Sequence, residues 1–156
     1  MSVSNFQNPD IIVTKIDQQA RESLEIRCHE ENDAVKEIVT FVKTRQGQLP
    51  GLMNGERYEV PISEVIYIES VDNRTFFYTA ENTYEIRCKL YELEDVLKPR
   101  HFIRISKASI LNLLKVRSVK PALNGRFLAQ LENGESLIIS RKYVNDLKKV
   151  LKGEDK

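Results

Sequence analysis

Apolar and polar residues alternate through the middle of the chain, with the period of two that marks half-buried β-strands. Four consecutive stretches show this pattern and are rich in β-branched and aromatic residues: ERYEVP (56–61), VIYIES (65–70), RTFFYT (74–79) and TYEIRC (83–88). Short polar breaks separate them. The pattern therefore predicts four strands joined by tight connections.

The last third of the chain continues in the same way. FIRIS (102–106) predicts a strand, and residues 109–122 are long enough for one or two more. The dipeptides Asn124-Gly125 and Asn133-Gly134 each suit a type I′ hairpin turn, in which both central residues have positive φ. The stretches next to them, RFLAQL (126–131) and ESLIIS (135–140), complete an antiparallel meander.

A different spacing, every three or four residues, predicts three helices. The first runs from about residue 33 to Arg45 behind a cap at Asn32 or Asp33, and the second covers 90–97 and stops at Pro99. The third covers 141–152 behind a cap at Ser140. Their apolar faces hold Val35, Ile38, Val39 and Val42; Leu90, Leu93 and Leu97; and Tyr143, Val144, Leu147, Val150 and Leu151. With no βαβ rhythm, the chain is predicted to be a mostly β (α+β) protein of antiparallel strands with short helices.

The N-terminal part of the chain is predicted to be a separate extension. IIVTKI (11–16) and ESLEIR (22–27) suggest two strands ahead of the first helix. The breaker-rich stretch QGQLPGLMNGE (46–56) then suggests a boundary. We expect a β–α extension over 1–45 with a possible interaction or dimerisation role, a main domain over 46–152, and a tail over 153–156.

Composition narrows the class of protein. Apolar residues make up 41% and charged residues 30% of the chain, as in ordinary globular proteins. No apolar run approaches the roughly 18 residues that a membrane span needs. The first residues do not resemble a signal peptide, and Cys28 and Cys88 form no CxxC pair, so two reduced thiols are expected. These features together favour the cytoplasm.

Motifs of catalysis are missing from the sequence. The two histidines, His29 and His101, have no metal-ligand or nucleophile partners at recognisable spacing. Neither a GxxxxGK[ST] loop nor a GxGxxG motif is present. The pattern predicts a protein that is not an enzyme and needs no cofactor or metal. About fifty-five residues precede the β domain, too few for a receiver domain.

Charge is divided unevenly between the two parts of the chain. Residues 1–97 hold 10 basic and 18 acidic residues, a sum of −8, whereas residues 98–156 hold 14 basic and 5 acidic residues, a sum of +9. A one-signed positive surface attracts polyanions. An ordinary solvated surface would have the same composition, so charge alone leaves both interpretations open.

The basic residues of the second part fall into three groups, at Arg104 and Lys107, at residues 115–120, and at Arg141-Lys142. The last pair opens a predicted helix, where cations oppose the macrodipole by about 0.3–1 kcal/mol. Free backbone N–H groups also point outward at a helix start. A Ser-Arg-Lys helix start therefore favours an anion-binding role over a purely structural one.

The order of motifs resembles that of the LytTR DNA-binding domain. The matching pieces over residues 46–152 are IYIES, KLYELEDVL, FIRIS, ILN at 110–112, LNGRF, LENGE and SRKYVNDLKKVL. Each piece alone is weak, but their shared order is specific. The resemblance implies a bacterial transcription regulator of the stand-alone kind, without a receiver domain, that binds double-stranded DNA.

Such domains place inter-strand loops rather than a recognition helix into DNA grooves. By this resemblance, residues 72–74 and the helix start at Arg141 would enter major grooves, with Lys107 in the loop between them. The resemblance also implies promoter repeats, a homodimer and a possible small membrane-protein partner. The candidate DNA-binding residues are Asn73, Arg74, Arg104, Lys107, Ser109, Asn124, Arg141 and Lys142.

One departure and two alternatives accompany this hypothesis. Family members often have Arg-Ile-His-Arg-Ser-Tyr/Phe where this chain has Arg-Ile-Ser-Lys-Ala-Ser at 104–109, so that loop has a cation but less to offer to base edges. The consecutive aromatics at 76–78 would also suit a β module that stacks single-stranded RNA. The third hypothesis is a protein-interaction module whose basic half binds an acidic partner.

Overall fold

The computed structural model describes residues 6–153, so most of the predicted tail at 153–156 lies outside the described residues. Ten strands run through this part of the chain. They are β1 (Gln48–Met53), β2 (Glu56–Pro61), β3 (Tyr67–Val71), β4 (Arg74–Tyr78), β5 (Thr83–Ile86), β6 (Phe102–Ser106), β7 (Ser109–Asn112), β8 (Val116–Pro121), β9 (Phe127–Leu131) and β10 (Ser136–Ile139).

The strands form two antiparallel sheets. The larger has seven strands in the order β2-β1-β5-β4-β3-β7-β6, and the smaller has the order β10-β9-β8. Most neighbours in the larger sheet follow one another directly along the chain, because tight turns connect them. The prediction of a mostly antiparallel β fold with short helices is confirmed.

The three helices begin where the sequence predicted. They are α1 (Asp33–Arg45), α2 (Leu90–Leu97) and α3 (Arg141–Leu151). The Asn32 side chain caps α1 by accepting a hydrogen bond of 3.0 Å from the Val35 backbone N–H. Within residues 6–153, no helix has the length and apolar character to cross a bilayer.

The larger sheet is covered on both faces near β6 and β7, so these short strands are apolar on both sides. Phe102 and Ile110 face a cluster beneath α2, together with Leu90, Leu93 and Leu97. Ile103, Ile105 and Leu111 face the opposite cluster, which contains Val144 and Leu147 of α3 and Ala129 and Leu131 of the smaller sheet. The ends of β6 and β7 are therefore held firmly from two directions.

The two strands predicted ahead of the first helix are not formed within the described residues. Residues 11–16 and 22–27 belong to no helix or strand, and neither segment pairs into a sheet within the described residues. Alternation of apolar and polar residues favours a strand only where a partner strand is available, and none pairs with these segments within residues 6–153. The stretch predicted as a breaker-rich boundary instead contains strand β1, which pairs with β2 along its whole length.

One predicted turn also differs. Asn124 and Gly125 both have positive φ, at 60° and 75°, as a type I′ turn requires. At the second site only Gly134 has positive φ, and Asn133 does not. The Asn133 side chain instead accepts a hydrogen bond of 3.0 Å from the Glu135 N–H, so it stabilises a different local turn.

Candidate nucleic-acid interface

Three connections that the sequence singled out lie side by side along one edge of the molecule. They are the β3–β4 turn at 72–74, the β6–β7 turn at 107–108, and the start of α3 at 140–142. We call these residues the loop edge. The Ser70 N–H donates to the Ala108 carbonyl at 2.8 Å, which joins the first turn to the second. The Ser140 N–H donates to the Ile105 carbonyl at 2.8 Å, which joins the third to the second.

At the β3–β4 turn, Arg74 already forms an ion pair with Glu85. Asp72 and Asn73 have positive φ, at 52° and 63°, so the hairpin reverses tightly and Asn73 is exposed at its tip. Arg74 donates from Nε and Nη2 to the two carboxylate oxygens of Glu85, at 3.1 and 2.8 Å. Its guanidinium also lies 5.2 Å from the centre of the Phe76 ring.

This ion pair changes the titration of both partners. The hydrogen bonds from Arg74 lower the pKa of the Glu85 carboxyl, and the hydrogen bonds to Glu85 raise the pKa of Arg74. Glu85 therefore stays ionised and offsets the charge of Arg74. Arg74 is therefore less available to an anionic partner than a cation without a carboxylate beside it.

At the second turn Arg104 shapes the loop instead of extending from it. Its Nη1 donates to Glu94 of α2 at 2.7 Å, its Nε to the Ser106 carbonyl at 2.8 Å, and its Nη2 to the Lys107 carbonyl at 2.6 Å. The Arg104 side chain is only 17% exposed. Lys107 itself is exposed at the tip, and Ser109 is half-buried at the start of β7.

At the third element two cations lie at an uncapped helix start. Ser140 has the backbone of a cap, but its side chain makes no capping hydrogen bond with the residues that the structure describes. Arg141 and Lys142 are exposed, and the first turn of α3 contains no acidic residue. The positive end of the helix dipole and two cations therefore point outward together.

The β8–β9 turn packs against the first of these cations. A Cβ added to Gly125 would lie 2.8 Å from Cδ of Arg141, closer than two carbon atoms can approach. Gly125 also has a φ of 75°, which favours glycine. The turn that holds Asn124 and Gly125 therefore packs against the aliphatic part of the Arg141 side chain.

The structure thus sorts the predicted site residues. Asn124, Arg141 and Lys142 lie at one end of the loop edge, Lys107 lies on its middle turn, and Asn73 is exposed at the other end. Arg74 and Arg104 lie at the edge but are ion-paired. Glu85, Glu94 and Gly125 were not predicted, since nothing in a sequence marks which carboxylate will reach a given arginine or which turn will pack against Arg141.

The comparisons with known proteins address the same region. The family model described as the LytTr DNA-binding domain matches residues 55–152, which include the whole loop edge. The chain belongs to the LytTR family. This confirms the resemblance found in the sequence, and the family is one of DNA-binding domains rather than of enzymes.

Individual relatives agree with the family match. An uncharacterized HTH-type transcriptional regulator of Staphylococcus aureus strain NCTC 8325 is 28% identical over 130 residues, covering 82% of this chain and 88% of that protein. A similarly described regulator from the bovine strain RF122 is 29% identical over 130 residues, with the same coverage.

A solved structure extends the likeness to three dimensions. It is the LytTr DNA-binding domain of a protein described as a methyl-accepting/DNA response regulator from Bacillus cereus. It is 28% identical, has a TM-score of 0.64, and covers 67% of this chain and 96% of that one. The prediction of a LytTR-type DNA-binding transcription regulator is thus supported by sequence, family and fold.

Proposed function

We propose that this LytTR protein regulates transcription by binding double-stranded DNA in a sequence-specific manner through the loop edge. One observation carries the proposal: Lys107, Arg141 and Lys142 are exposed along the same edge, and none forms an ion pair with a residue that the structure describes. Cations without carboxylate partners are available to phosphates and base edges.

The three elements suit different parts of a duplex. The Arg141 guanidinium matches the O6 and N7 atoms of guanine in a bidentate manner, so we assign it base recognition in a major groove. Lys107 is a point charge on a short turn and suits a phosphate between two grooves. Asn73 at the far turn can hydrogen-bond a base or a phosphate in the next groove.

The remaining cations have supporting roles in this proposal. Arg104 fixes the shape of the β6–β7 turn through its three hydrogen bonds, and Lys142 adds charge beside Arg141. Lys142 lies 5.6 Å from the centre of the Tyr143 ring, which orients it along the helix start. Ser109 and Asn124 contribute polar groups at the margins.

The wider setting follows from this function and from the resemblance. A regulator that binds chromosomal DNA acts in the cytoplasm of a bacterium. We propose that it acts as a homodimer on repeated promoter sites, each copy placing its loop edge on one repeat. The proposed small membrane-protein partner rests on the resemblance to stand-alone LytTR regulators alone.

The single-stranded RNA alternative has less support, because its aromatic residues are already occupied. Phe77 is fully buried in the core. Phe76 is covered by Arg74, and the Tyr78 ring stacks on Tyr67 at 4.5 Å and donates its hydroxyl hydrogen to Glu69 at 2.8 Å. Each of the three rings already packs against other side chains of the protein, which disfavours base stacking on them.

The test is a binding titration with purified protein. The probe is a labelled duplex from the region upstream of the protein's own gene, compared with a random duplex and a single strand at two salt concentrations. We expect tight, salt-sensitive preference for the native duplex. Equal and weak binding to all three nucleic acids would contradict the proposal and favour a protein partner for the basic half.

A further inference from the structure

Arg141 is the candidate base-reading residue, and its side chain has no polar partner among the described residues. It is exposed, and it forms neither an ion pair nor a side-chain hydrogen bond with any residue that the structure describes. A long side chain that is free before binding loses rotamer entropy when a base holds it, and it can approach the base from more than one direction. A contact that restricts Arg141 in advance would therefore sharpen base discrimination.

The β8–β9 turn supplies such a contact, and the strand register explains why. β9 and β10 are antiparallel, and the last pair of their ladder is Phe127 with Ile139. Gly125 and Arg141 lie two residues beyond this pair, one on each side of the ladder. Opposite residues of an antiparallel pair have their side chains on the same face. The register therefore brings the Arg141 side chain over the turn.

Gly125 leaves room for the Arg141 side chain because it has no side chain of its own. A Cβ built on Gly125 would lie 2.8 Å from Cδ and 3.1 Å from Cγ of Arg141. Carbon atoms pack without overlap at about 3.5–4.0 Å, so a larger residue here would push the Arg141 stem aside. The displaced atoms belong to an exposed, flexible side chain. The displacement should therefore cost little stability but should change where the guanidinium lies.

Hydrogen bonds within the turn hold its backbone in place. The Ala122 N–H donates to the Arg126 carbonyl at 2.8 Å. The backbone N–H and the Nε of Arg126 both donate to the Leu123 carbonyl, at 3.3 and 3.2 Å. If a side chain were added at residue 125, we therefore expect the Arg141 side chain, rather than the turn, to move.

We propose that Gly125 is a positioning residue for base recognition, because its missing side chain lets the Arg141 stem lie across the β8–β9 turn. This contact fixes the direction in which the guanidinium meets a base. The inference rests on the base-reading role proposed above for Arg141. It makes residue 125 a determinant of sequence specificity that acts through Arg141.

Gly134 is a matched control, because a glycine can also be required for its backbone conformation alone. It lies in the β9–β10 turn at a φ of 93°, compared with 75° for Gly125, so alanine is strained at both positions. A Cβ on Gly134, however, would meet no atom within 4 Å. The two glycines share the conformational requirement, but only Gly125 has the Arg141 side chain against it.

The test titrates the full chain with the duplex upstream of its own gene and with single-base variants of that duplex. The base pair whose preference disappears in Arg141→Ala is the reference position. We expect Gly125→Ala to reduce discrimination at that base pair about tenfold, whereas Gly134→Ala should leave it unchanged. Both alanine variants should lower the urea midpoint of unfolding to a similar extent, because both carry the same kind of backbone strain.

A second variant and a double variant separate positioning from a structural role. Asparagine tolerates positive φ better than alanine, so Gly125→Asn should reproduce the loss of discrimination with less backbone strain. In the Arg141→Ala background, Gly125→Ala should cause no further loss of affinity for the native duplex, because the side chain that it displaces is gone.

Three results would overturn the inference: preserved discrimination in both variants of residue 125, an equal loss in Gly134→Ala, or an additive loss in the double variant. If Arg141→Ala itself leaves base preference unchanged, the proposed base-reading role is wrong, and the inference fails with it. A loss in Arg141→Ala without a loss in Gly125→Ala would reject the positioning role alone. The two failures are therefore distinguishable.

Discussion

The two ends of the loop edge each carry an arginine, and the two arginines are in opposite electrostatic states. Arg74 is held by both oxygens of Glu85, whereas Arg141 lies at a helix start whose first turn has no acidic residue. Both arginine side chains are exposed to solvent. Exposure therefore does not measure how available a cation is to DNA; the position of the nearest carboxylate does.

The middle of the edge combines both states within one turn. Arg104 donates hydrogen bonds to Glu94 and to two backbone carbonyls of the turn. The Lys107 side chain is exposed at the tip of that turn. One cation builds the loop and its neighbour is presented by it. We therefore expect substitutions along the loop edge to separate cations that contact DNA from cations that shape a turn or are neutralised by a carboxylate.

The largest effect should come from Arg141→Ala. We expect specific binding to weaken by about 1–3 kcal/mol, with relaxed preference at one base pair, because a bidentate contact to guanine is lost. Titration with the native duplex and single-base variants measures both. Arg57→Ala is the control for an exposed cation that already has a carboxylate partner, since Arg57 lies on edge strand β2 with its Nη2 3.6 Å from Glu31. Equal losses on specific and random DNA would contradict a base-reading role.

Arg104→Met should act through the fold. It keeps the apolar stem but removes three hydrogen bonds, so we expect the free energy of unfolding to fall by about 1–2 kcal/mol. Urea denaturation measures this, with the exposed Arg117→Met as the control. We also expect weaker binding to every duplex. An unchanged unfolding midpoint together with lost DNA binding would instead make Arg104 a direct contact.

Lys107→Ala should lower affinity nearly uniformly across sequences, by about 1 kcal/mol. The physical reason is the loss of one phosphate contact, so the slope of log K against log salt should become shallower by about 1. A salt series with specific and random duplexes tests this. A strongly sequence-dependent loss would show that Lys107 reads bases.

The smallest effect should come from Glu85→Gln, which removes the counter-charge of Arg74. We expect duplex binding to tighten at low salt, because Arg74 is then free to contact DNA. The gain should be only about 0.5 kcal/mol, because an exposed ion pair contributes little free energy. The same change made with Arg74→Ala should give no gain. A gain that persists in the double variant would mean that Glu85 acts through general repulsion rather than through Arg74.

Much of the fold was predictable because local patterns and tertiary structure agree. The helices at 33–45, 90–97 and 141–151, and the meander around Asn124-Gly125, follow from periodicity and turn residues. Strand β1 was missed because Pro50 and Gly51 suggested a breaker. Gly51 is instead required by packing, since a Cβ there would lie 2.8 Å from Phe77 and from Tyr84. No local pattern reveals that approach.

The turns and the helix start that hold the candidate residues were predictable, but the ion pairing of those residues was not. The helix start at Arg141 and the turn at Lys107 could be identified from charge and turn chemistry. The pairing of Arg74 with Glu85 and of Arg104 with Glu94 depends on strand register and on how α2 packs. The segments at 11–16 and 22–27 show a similar limit of sequence-based prediction. Alternation of apolar and polar residues favours a strand, but it does not reveal whether another strand will pair with it.

The spacing of the loop edge rests on main-chain atoms. The bonds from Ser70 to Ala108 and from Ser140 to Ile105 join backbone N–H to backbone C=O, so side-chain replacement at the tips leaves them in place. Residues 73, 107 and 141 can therefore change identity while the distance between them stays constant. Under the proposed function, we expect relatives with this backbone to recognise different base sequences while keeping the same spacing between their contacts on the duplex.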